Sequence, residues 1–188
     1  MKLMEKTLEE KTIYEGHILK LSVDTVELPD GRRGTREVVH HPGGVGVVAL
    51  DANGDVLLVR QFRYPYKAEV LEIPAGKLSP GEDPLLCGKR ELREETGACA
   101  EEYRELGTMY PSVGYTDEII SVYLARGLRF GEQELDEGEF LNVVRMPLER
   151  AVRMVLDGEL PDAKTQVGLL KAWALLREKQ DAGVAGGR

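Results

Sequence analysis

The stretch Gly76 to Ala98, GKLSPGEDPLLCGKRELREETGA, constrains this chain more than any other. Asp83 is a good N-cap, because its carboxylate can accept from the first free helical N–H groups. Pro84 suits the first helical position, and Gly97 is a natural left-handed stop. The spacing therefore predicts one helix over about 83–96. At about 100° per residue, Leu85 and Leu92 fall together as a core face, and Lys89 and Arg93 fall on the solvent side. Glu91 and Glu95 form a stripe beside Gly88, at the margin of the apolar face. Glu94 shares the flank of Glu91, with Arg90 four residues before it.

Clustered carboxylates repel, by ~0.2–0.5 kcal/mol for each helical pair. A solvated acidic face tolerates that much. The other reading is a hard cation: Glu91 and Glu95 lie one turn apart, with Cβ atoms ~5–6 Å from each other. Long glutamate side chains can converge on Mg²⁺, which takes oxygen ligands at ~2.0–2.1 Å. Helix geometry leaves both readings open and leans to the metal. The loop before the helix adds Gly76 and Gly81, which permit close backbone approach and can turn a carbonyl, such as that of Ala75, toward the same ion.

The 188 residues suit one domain with an appended arm. With 42% hydrophobic and 31% charged residues the composition is that of a globular chain. A net charge of -8 disfavours a nucleic-acid binder. It does not exclude an anionic substrate, since a bound cation inverts the local charge. Cys87 and Cys99 form no CxxC pair and are expected to be buried, reduced thiols. The N-terminus MKLMEKTLEEK has no signal-peptide pattern, and no run approaches the ~18 apolar residues of a membrane helix. A soluble cytoplasmic protein is expected.

Residues 5–42 read as an antiparallel arm, two extended runs around a turn at Pro29-Asp30-Gly31. GGVGVVALDANGDVLLVRQFRY reads as a hairpin turning at Asp51–Gly54, and EVLEIPAG as a short strand ending at Pro74. Strands are expected near 104–110, 118–126 and 140–146, and helices near 148–157 and 164–178, the last with Trp173 in the core. The glycine-rich end of the chain is expected to be mobile. This order implies a mixed α/β (α+β) architecture, a sheet flanked by helices. The divisions are an arm at 1–42, a domain at 43–180 and a tail at 181–188.

Gly76, Glu82, Arg90, Glu91, Leu92, Glu94, Glu95, Gly97 and Ala98 fit every fixed position of the Nudix box. That box is a glycine, five residues, a glutamate, seven residues, then Arg-Glu-aliphatic-any-Glu-Glu-any-Gly-aliphatic. The layout TREVVHHPGGVGVVAL, RQFRYP, LEIPAGKLSPGE, YPSVGYTDE and LDEGEF resembles the ADP-ribose pyrophosphatase branch of the Nudix hydrolases over about residues 10–175. One departure is Val113-Gly114, where the branch commonly has Pro-Gly.

The resemblance implies the Nudix fold, a mixed sheet sandwiched between helices behind an N-terminal β arm. It implies that Glu91 and Glu95, with the Ala75 carbonyl, ligate Mg²⁺ (or Mn²⁺), two or three ions per site. Glu94 resembles a further ligand or water-mediated contact, and Arg90 with Glu82 an ion pair orienting helix and loop. Glu137 matches the loop glutamate that serves as catalytic base, with Glu139 as runner-up. Arg36, Glu37 and Arg63 match positions that contact adenine or phosphates, and Glu118 one near the terminal ribose. Tyr64 and Tyr14 are candidates for aromatic stacking on the substrate, with core packing the expected role of either, and His17, His40 and His41 are expected to be structural. The implied reaction is Mg²⁺-dependent hydrolysis of ADP-ribose to AMP and ribose 5-phosphate by a homodimer joined through its arms. Rival readings are cleavage of another nucleoside diphosphate sugar, such as GDP-mannose, or of a dinucleotide. A reading of another class is a non-hydrolytic nucleotide-sugar sensor, which the complete set of box carboxylates argues against.

Overall fold

The computed structural model describes residues 2–185. Strand β4 (Gly44–Leu50) is buried along its whole length, which is what its unbroken apolar sequence requires. Its side chains alternate between two cores. Val47 and Ala49 join Leu57, Leu92, Ala98 and Ala125 on one face. Val48 and Leu50 join Leu58, Ile73, Val122, Leu124, Val152, Leu169 and Ala172 on the other. Helices must cover both faces, and they do: α1 (Pro84–Thr96) on the first, α2 (Leu148–Leu156) and α3 (Ala163–Ala185) on the second.

The remaining strands are β5 (Asp55–Arg63), β6 (Ala68–Glu72), β7 (Ala75–Lys77), β8 (Ala98–Met109), β9 (Ile120–Phe130) and β10 (Leu141–Pro147). Their order is β10-β5-β4-β9-β8, with β6 on β5 and β7 on β4. β4 runs parallel to β9 and antiparallel to β5 and β7, so the expected mixed sheet is present. The hairpin turn sits at Asp51, whose carboxylate accepts from the N–H groups of Asn53 (2.8 Å) and Asp55 (3.0 Å). β6 ends at Glu72, just before the Pro74 stop expected for it, and a further short strand, β7, follows that proline. A three-residue 3₁₀ turn, Tyr64–Tyr66, connects β5 to β6 and leaves Tyr64 exposed, not in the core.

Helix α1 begins and ends as its sequence dictates. Asp83 Oδ1 accepts from the N–H groups of Leu85 and Leu86, both at 3.0 Å. Gly97, at φ 69°, donates its N–H to the Arg93 carbonyl. Leu92 is wholly buried, worth about 1.5–3 kcal/mol, while Leu85 is only half-buried. Cys87 is buried as expected, and burial pushes its thiol up to about 12. Cys99 is exposed, which corrects the sequence reading. It follows Ala98 on β8, at the sheet edge, and strand alternation turns it away from the core that Ala98 enters. α3 continues past the expected end near 178 to Ala185; the last residues of the predicted tail, 186–188, lie outside the described residues. Trp173 packs partly buried against the larger core, with the Arg177 guanidinium 4.6 Å from its ring centre.

The arm forms a second compact unit, made of the residues up to Gly43 together with Tyr110–Ile119. It is a three-stranded antiparallel sheet of β1 (Lys6–Glu15), β2 (Lys20–Glu27) and β3 (Arg33–His40). Two turns are present where one was expected. Gly16 N–H donates to the Leu19 carbonyl at the first and Leu28 N–H to the Arg32 carbonyl at the second. β1 is exposed throughout, so Tyr14 is not a core residue. Among the described residues no helix is long and apolar enough to cross a membrane.

Candidate active site

Where β7 passes the acidic stripe of α1, Gly76 is a steric necessity. A Cβ there would lie 2.0 Å from the Glu91 carboxylate. One strand residue back, the Ala75 N–H donates to Glu95 Oε2 at 2.9 Å. The loop and the helix are therefore joined through the two glutamates. Arg90 ties the assembly together. It meets Glu82 at 3.1 Å, Glu91 at 2.7 Å and Glu94 at 2.8 Å. Glu82 also accepts from the Ser79 N–H, and the Arg90 hydrogen bond followed by that of Ser79 draws its carboxyl down to about 2.

Glu91 and Glu95 are in the opposite situation. Burial raises the carboxyl of Glu95 to about 8; the Ala75 N–H opposes, and the charges of Glu91 and Glu139 add. Burial likewise raises Glu91, with Arg90 opposing and Glu94 and Glu139 adding. Side-chain exposure is 13% for Glu91 and 17% for Glu94, and Glu95 is 3% exposed. Buried oxygen donors that repel one another fit a hard divalent cation, which would restore their ionisation. As they stand, Glu91 and Glu94 lean on Arg90, and no three His, Cys, Asp or Glu side chains converge at ligand distance among the described residues. Binding an ion thus requires these two glutamates to turn from the guanidinium. Ala75 is engaged with Glu95 through its N–H.

The raised carboxyls make stability depend on pH. Glu95 shifts from 4.5 to about 8, so between those values the folded state holds more protons than the unfolded chain. In EDTA, stability is expected to fall as pH rises through this window, by up to about 1.4 kcal/mol per pH unit for one carboxyl. Saturating Mg²⁺ is expected to flatten the slope. Urea midpoints from pH 5 to 8 with and without the metal check this; a metal-free profile that rises with pH counts against it.

The acidic loop after β9 is seated on the C-terminal end of α1. The Gly131 N–H donates to the Gly97 carbonyl (2.7 Å) and the Glu134 N–H to the Glu94 carbonyl (3.0 Å). Gln133 Nε2 donates to the Glu95 carbonyl at 2.5 Å. Open helix-end carbonyls need such donors, and none of this was legible from the loop's composition. Further along, Glu137 is exposed, with no hydrogen bond or ion pair among the described residues. The Glu139 carboxylate accepts from the Asp136 N–H at 3.3 Å.

Arg63 is held by Glu72 through two bonds, from Nε at 2.6 Å and Nη2 at 2.8 Å. Glu72 is 2% exposed and also pairs with Lys164, which reaches Asp162 at 3.1 Å. Asp162 accepts from the Thr165 N–H at 2.9 Å and from its hydroxyl, while Thr165 Oγ1 accepts from the Ile73 N–H at 2.9 Å. Burial alone would raise the Glu72 carboxyl; Arg63 and Lys164 more than offset it, and it lies below its ordinary value. Sequence reading missed Glu72 and Lys164. The available signal was a glutamate inside the apolar run VLEIP.

The other sequence candidates lie in the arm unit. Arg36 on β3 is bonded to Glu5 and to the Thr35 carbonyl (2.8 Å), and Glu37 is exposed. Glu118 Oε1 lies 3.3 Å from His41 Nδ1. That nitrogen also stands 3.2 Å from the Gly43 N–H. It cannot accept from Gly43 and donate to Glu118 at once; when it accepts, the Glu118 carboxylate is free of it.

A family model described as "NUDIX domain" matches residues 40–166. The chain belongs to the Nudix hydrolase family. A second model, "Nucleoside diphosphate sugar hydrolase N-terminal domain", matches residues 5–39, which contain the arm strands β1 and β2 and all of β3 but His40. The Nudix chain is 44% identical to "ADP-ribose pyrophosphatase" of Bacillus subtilis, over 87% of this chain and 89% of the relative. It is 41% identical to "Methanol dehydrogenase activator" of Bacillus methanolicus, over 88% and 90%. Its fold resembles a solved structure described as "Crystal structure of ADP compounds hydrolase", with a TM-score of 0.83 at 22% identity, over 95% of this chain and 98% of that one.

Proposed function

We propose that this Nudix hydrolase cleaves the diphosphate linkage of ADP-ribose, giving AMP and ribose 5-phosphate. The observation that carries the reading is the buried pair Glu91 and Glu95, set against Gly76 and the Ala75 N–H. The 44% identity to an ADP-ribose pyrophosphatase over 87% of the chain supports the substrate.

Glu91 and Glu95, with Glu94 and the Ala75 carbonyl, would hold Mg²⁺. Bound there, divalent ions screen the diphosphate charge and polarise its P–O bond. Arg90 and Glu82 keep the helix and loop in register, and Arg90 retains its pair with Glu82 when Glu91 and Glu94 turn away. Glu137 takes one proton from the attacking water as the water oxygen bonds to phosphorus. The bridging P–O bond breaks and the leaving phosphate keeps its electron pair. General-base help of this kind contributes ~10²–10⁴-fold. Arg36, Glu37 and Glu118 are proposed as substrate contacts on the strength of the resemblance. Arg63 is proposed with them; Glu72 occupies its Nε and Nη2, which leaves Nη1 for a phosphate oxygen. The free thiols Cys87 and Cys99 accord with a cytoplasmic setting.

The decisive experiment is a panel of ADP-ribose, GDP-mannose and a dinucleoside diphosphate, assayed by phosphate-coupled detection with Mg²⁺ and with Mn²⁺. ADP-ribose is expected to be turned over with the highest kcat/KM. Preference for another nucleoside diphosphate sugar would replace the substrate and keep the chemistry.

A homodimer through the arm is proposed as well. β1 is exposed at all ten positions, and Leu8, Ile13, Ile18 and Leu19 stand open along it and the following turn. Light scattering at micromolar concentration is expected to give twice the chain mass, and deletion of β1 a monomer. A full-length active monomer would refute this.

A further inference from the structure

Proline has no N–H to give a ladder, and around Pro74 the sheet's own bonding is interrupted. β6 stops at Glu72 and β7 begins at Ala75, so Ile73 and Pro74 pass from one strand to the other outside the paired registers. Ile73 is fully buried, and a buried N–H left without a partner is costly. The partner comes from 92 residues on: Thr165 Oγ1, in the first turn of α3, accepts from the Ile73 N–H at 2.9 Å. Thr165 is itself wholly buried, and its hydroxyl donates to Asp162 Oδ2. With the proton committed there, the oxygen is left to accept. The same Asp162 oxygen accepts from the Thr165 N–H at 2.9 Å, which caps the helix.

The side chain of Ile73 is seated as closely as its backbone. A Cβ on Gly46 of β4 would lie 2.8 Å from Ile73 Cδ1, and one on Gly168 of α3 would lie 3.3 Å from it. The strand and the helix each give up a side chain to admit this one. Beyond it, the Pro74 carbonyl accepts from the Val47 N–H of β4 at 2.9 Å. The next group along is the Ala75 N–H, which donates to Glu95 Oε2 at 2.9 Å. Oε2 is thereby committed to the backbone. Oε1 of Glu95 takes no hydrogen bond among the described residues, which leaves it for an ion.

The geometry points to Thr165, with Asp162 behind it, as a positioning residue of the metal site: its hydroxyl fixes Ile73, the fixed segment sets where the Ala75 N–H stands, and that N–H sets the Glu95 carboxylate. This rests on the reading of Glu95 as a Mg²⁺ ligand above. Partners behind a ligand orient it and so govern how well the ion is held. Thr165 is buried away from any ligand, so the expected signature is in the Mg²⁺ dependence and not in KM for the nucleoside diphosphate substrate.

The test uses the full-length protein. Thr165→Val keeps the shape and removes the acceptor; it is expected to weaken Mg²⁺ binding about tenfold or more in calorimetric titrations without substrate. With ADP-ribose, the Mg²⁺ concentration for half-maximal rate is expected to rise by the same factor. At saturating Mg²⁺, kcat and the KM for ADP-ribose are each expected to stay within about threefold of wild type. Thr165→Ser keeps the hydroxyl and is expected to bind Mg²⁺ as wild type does. In EDTA, amide exchange at Ile73 and Ala75 is expected to quicken in Thr165→Val, with the amides of α1 unchanged. Asp162→Ala, at a partly exposed position, carries the same test should Thr165→Val fail to fold; its Mg²⁺ affinity is expected to fall as well. The positioning role is overturned if these variants lose melting temperature yet bind Mg²⁺ as wild type does, which is what anchoring of α3 alone would give. It is overturned too if Thr165→Ser is as impaired as Thr165→Val, or if Ala75 exchanges at the wild-type rate in the variants. A wild type that binds no Mg²⁺ overturns the ligand reading of Glu95. Failure to cleave ADP-ribose overturns the substrate reading alone and leaves the titrations standing.

Discussion

Glu95→Gln is expected to lower kcat on ADP-ribose by about 10³-fold or more while leaving the fold at least as stable. Each tenfold is only ~1.4 kcal/mol of barrier, and loss of a principal ligand to the ion that screens the diphosphate removes several of these. The stability follows from the surroundings of the side chain. Glutamine keeps an oxygen for the Ala75 N–H at its present 2.9 Å. It sheds the burial penalty and the repulsion from Glu91 and Glu139 that hold the native carboxyl up at about 8. Metal-free melting temperature at pH 8 should therefore hold or rise, whereas Mg²⁺ should no longer raise it. A mutant within tenfold of wild type at saturating Mg²⁺ would sink the ligand assignment. A mutant that loses activity by unfolding would show that Glu95 is structural.

Glu137→Gln is expected to lower kcat by roughly 10²–10⁴-fold with KM nearly unchanged, and Glu139→Gln to act far less. Two observations pull in different directions here. The charge of Glu139 bears on both Glu91 and Glu95. Yet its carboxylate is turned back to the Asp136 N–H, where it shapes its own loop. Glu137 is exposed and uncommitted, as suits a base brought in when the loop closes over substrate. Glu94 is the third candidate, held by Arg90 at 2.8 Å. Single-turnover rates of Glu94→Gln, Glu137→Gln and Glu139→Gln at saturating Mg²⁺ rank them. If Glu137→Gln keeps more than about a tenth of kcat, less than the weakest general-base effect, the base lies elsewhere.

The sequence alone determined helix α1, from the Asp83 cap to the Gly97 stop, and the stripe of glutamates at its core margin. It determined the buried strand β4, the hairpin at Asp51 and the mixed sheet between helices, because caps, turns and side-chain periods are written over a few adjacent residues. It also carried the Arg90–Glu94 pair, four residues apart on one helix. The tertiary structure alone decided that Gly76 is there for want of room beside Glu91, and that Arg63 is bound by Glu72. The same holds for Lys164, which meets Glu72 across 92 residues, for His40, which meets Asp117 across 77, and for the loop seated on the end of α1. Cys99 and Tyr64 stand exposed for the same reason. Which partner a side chain finds across a closed loop depends on how the sheet orders and twists, and no local spacing encodes that.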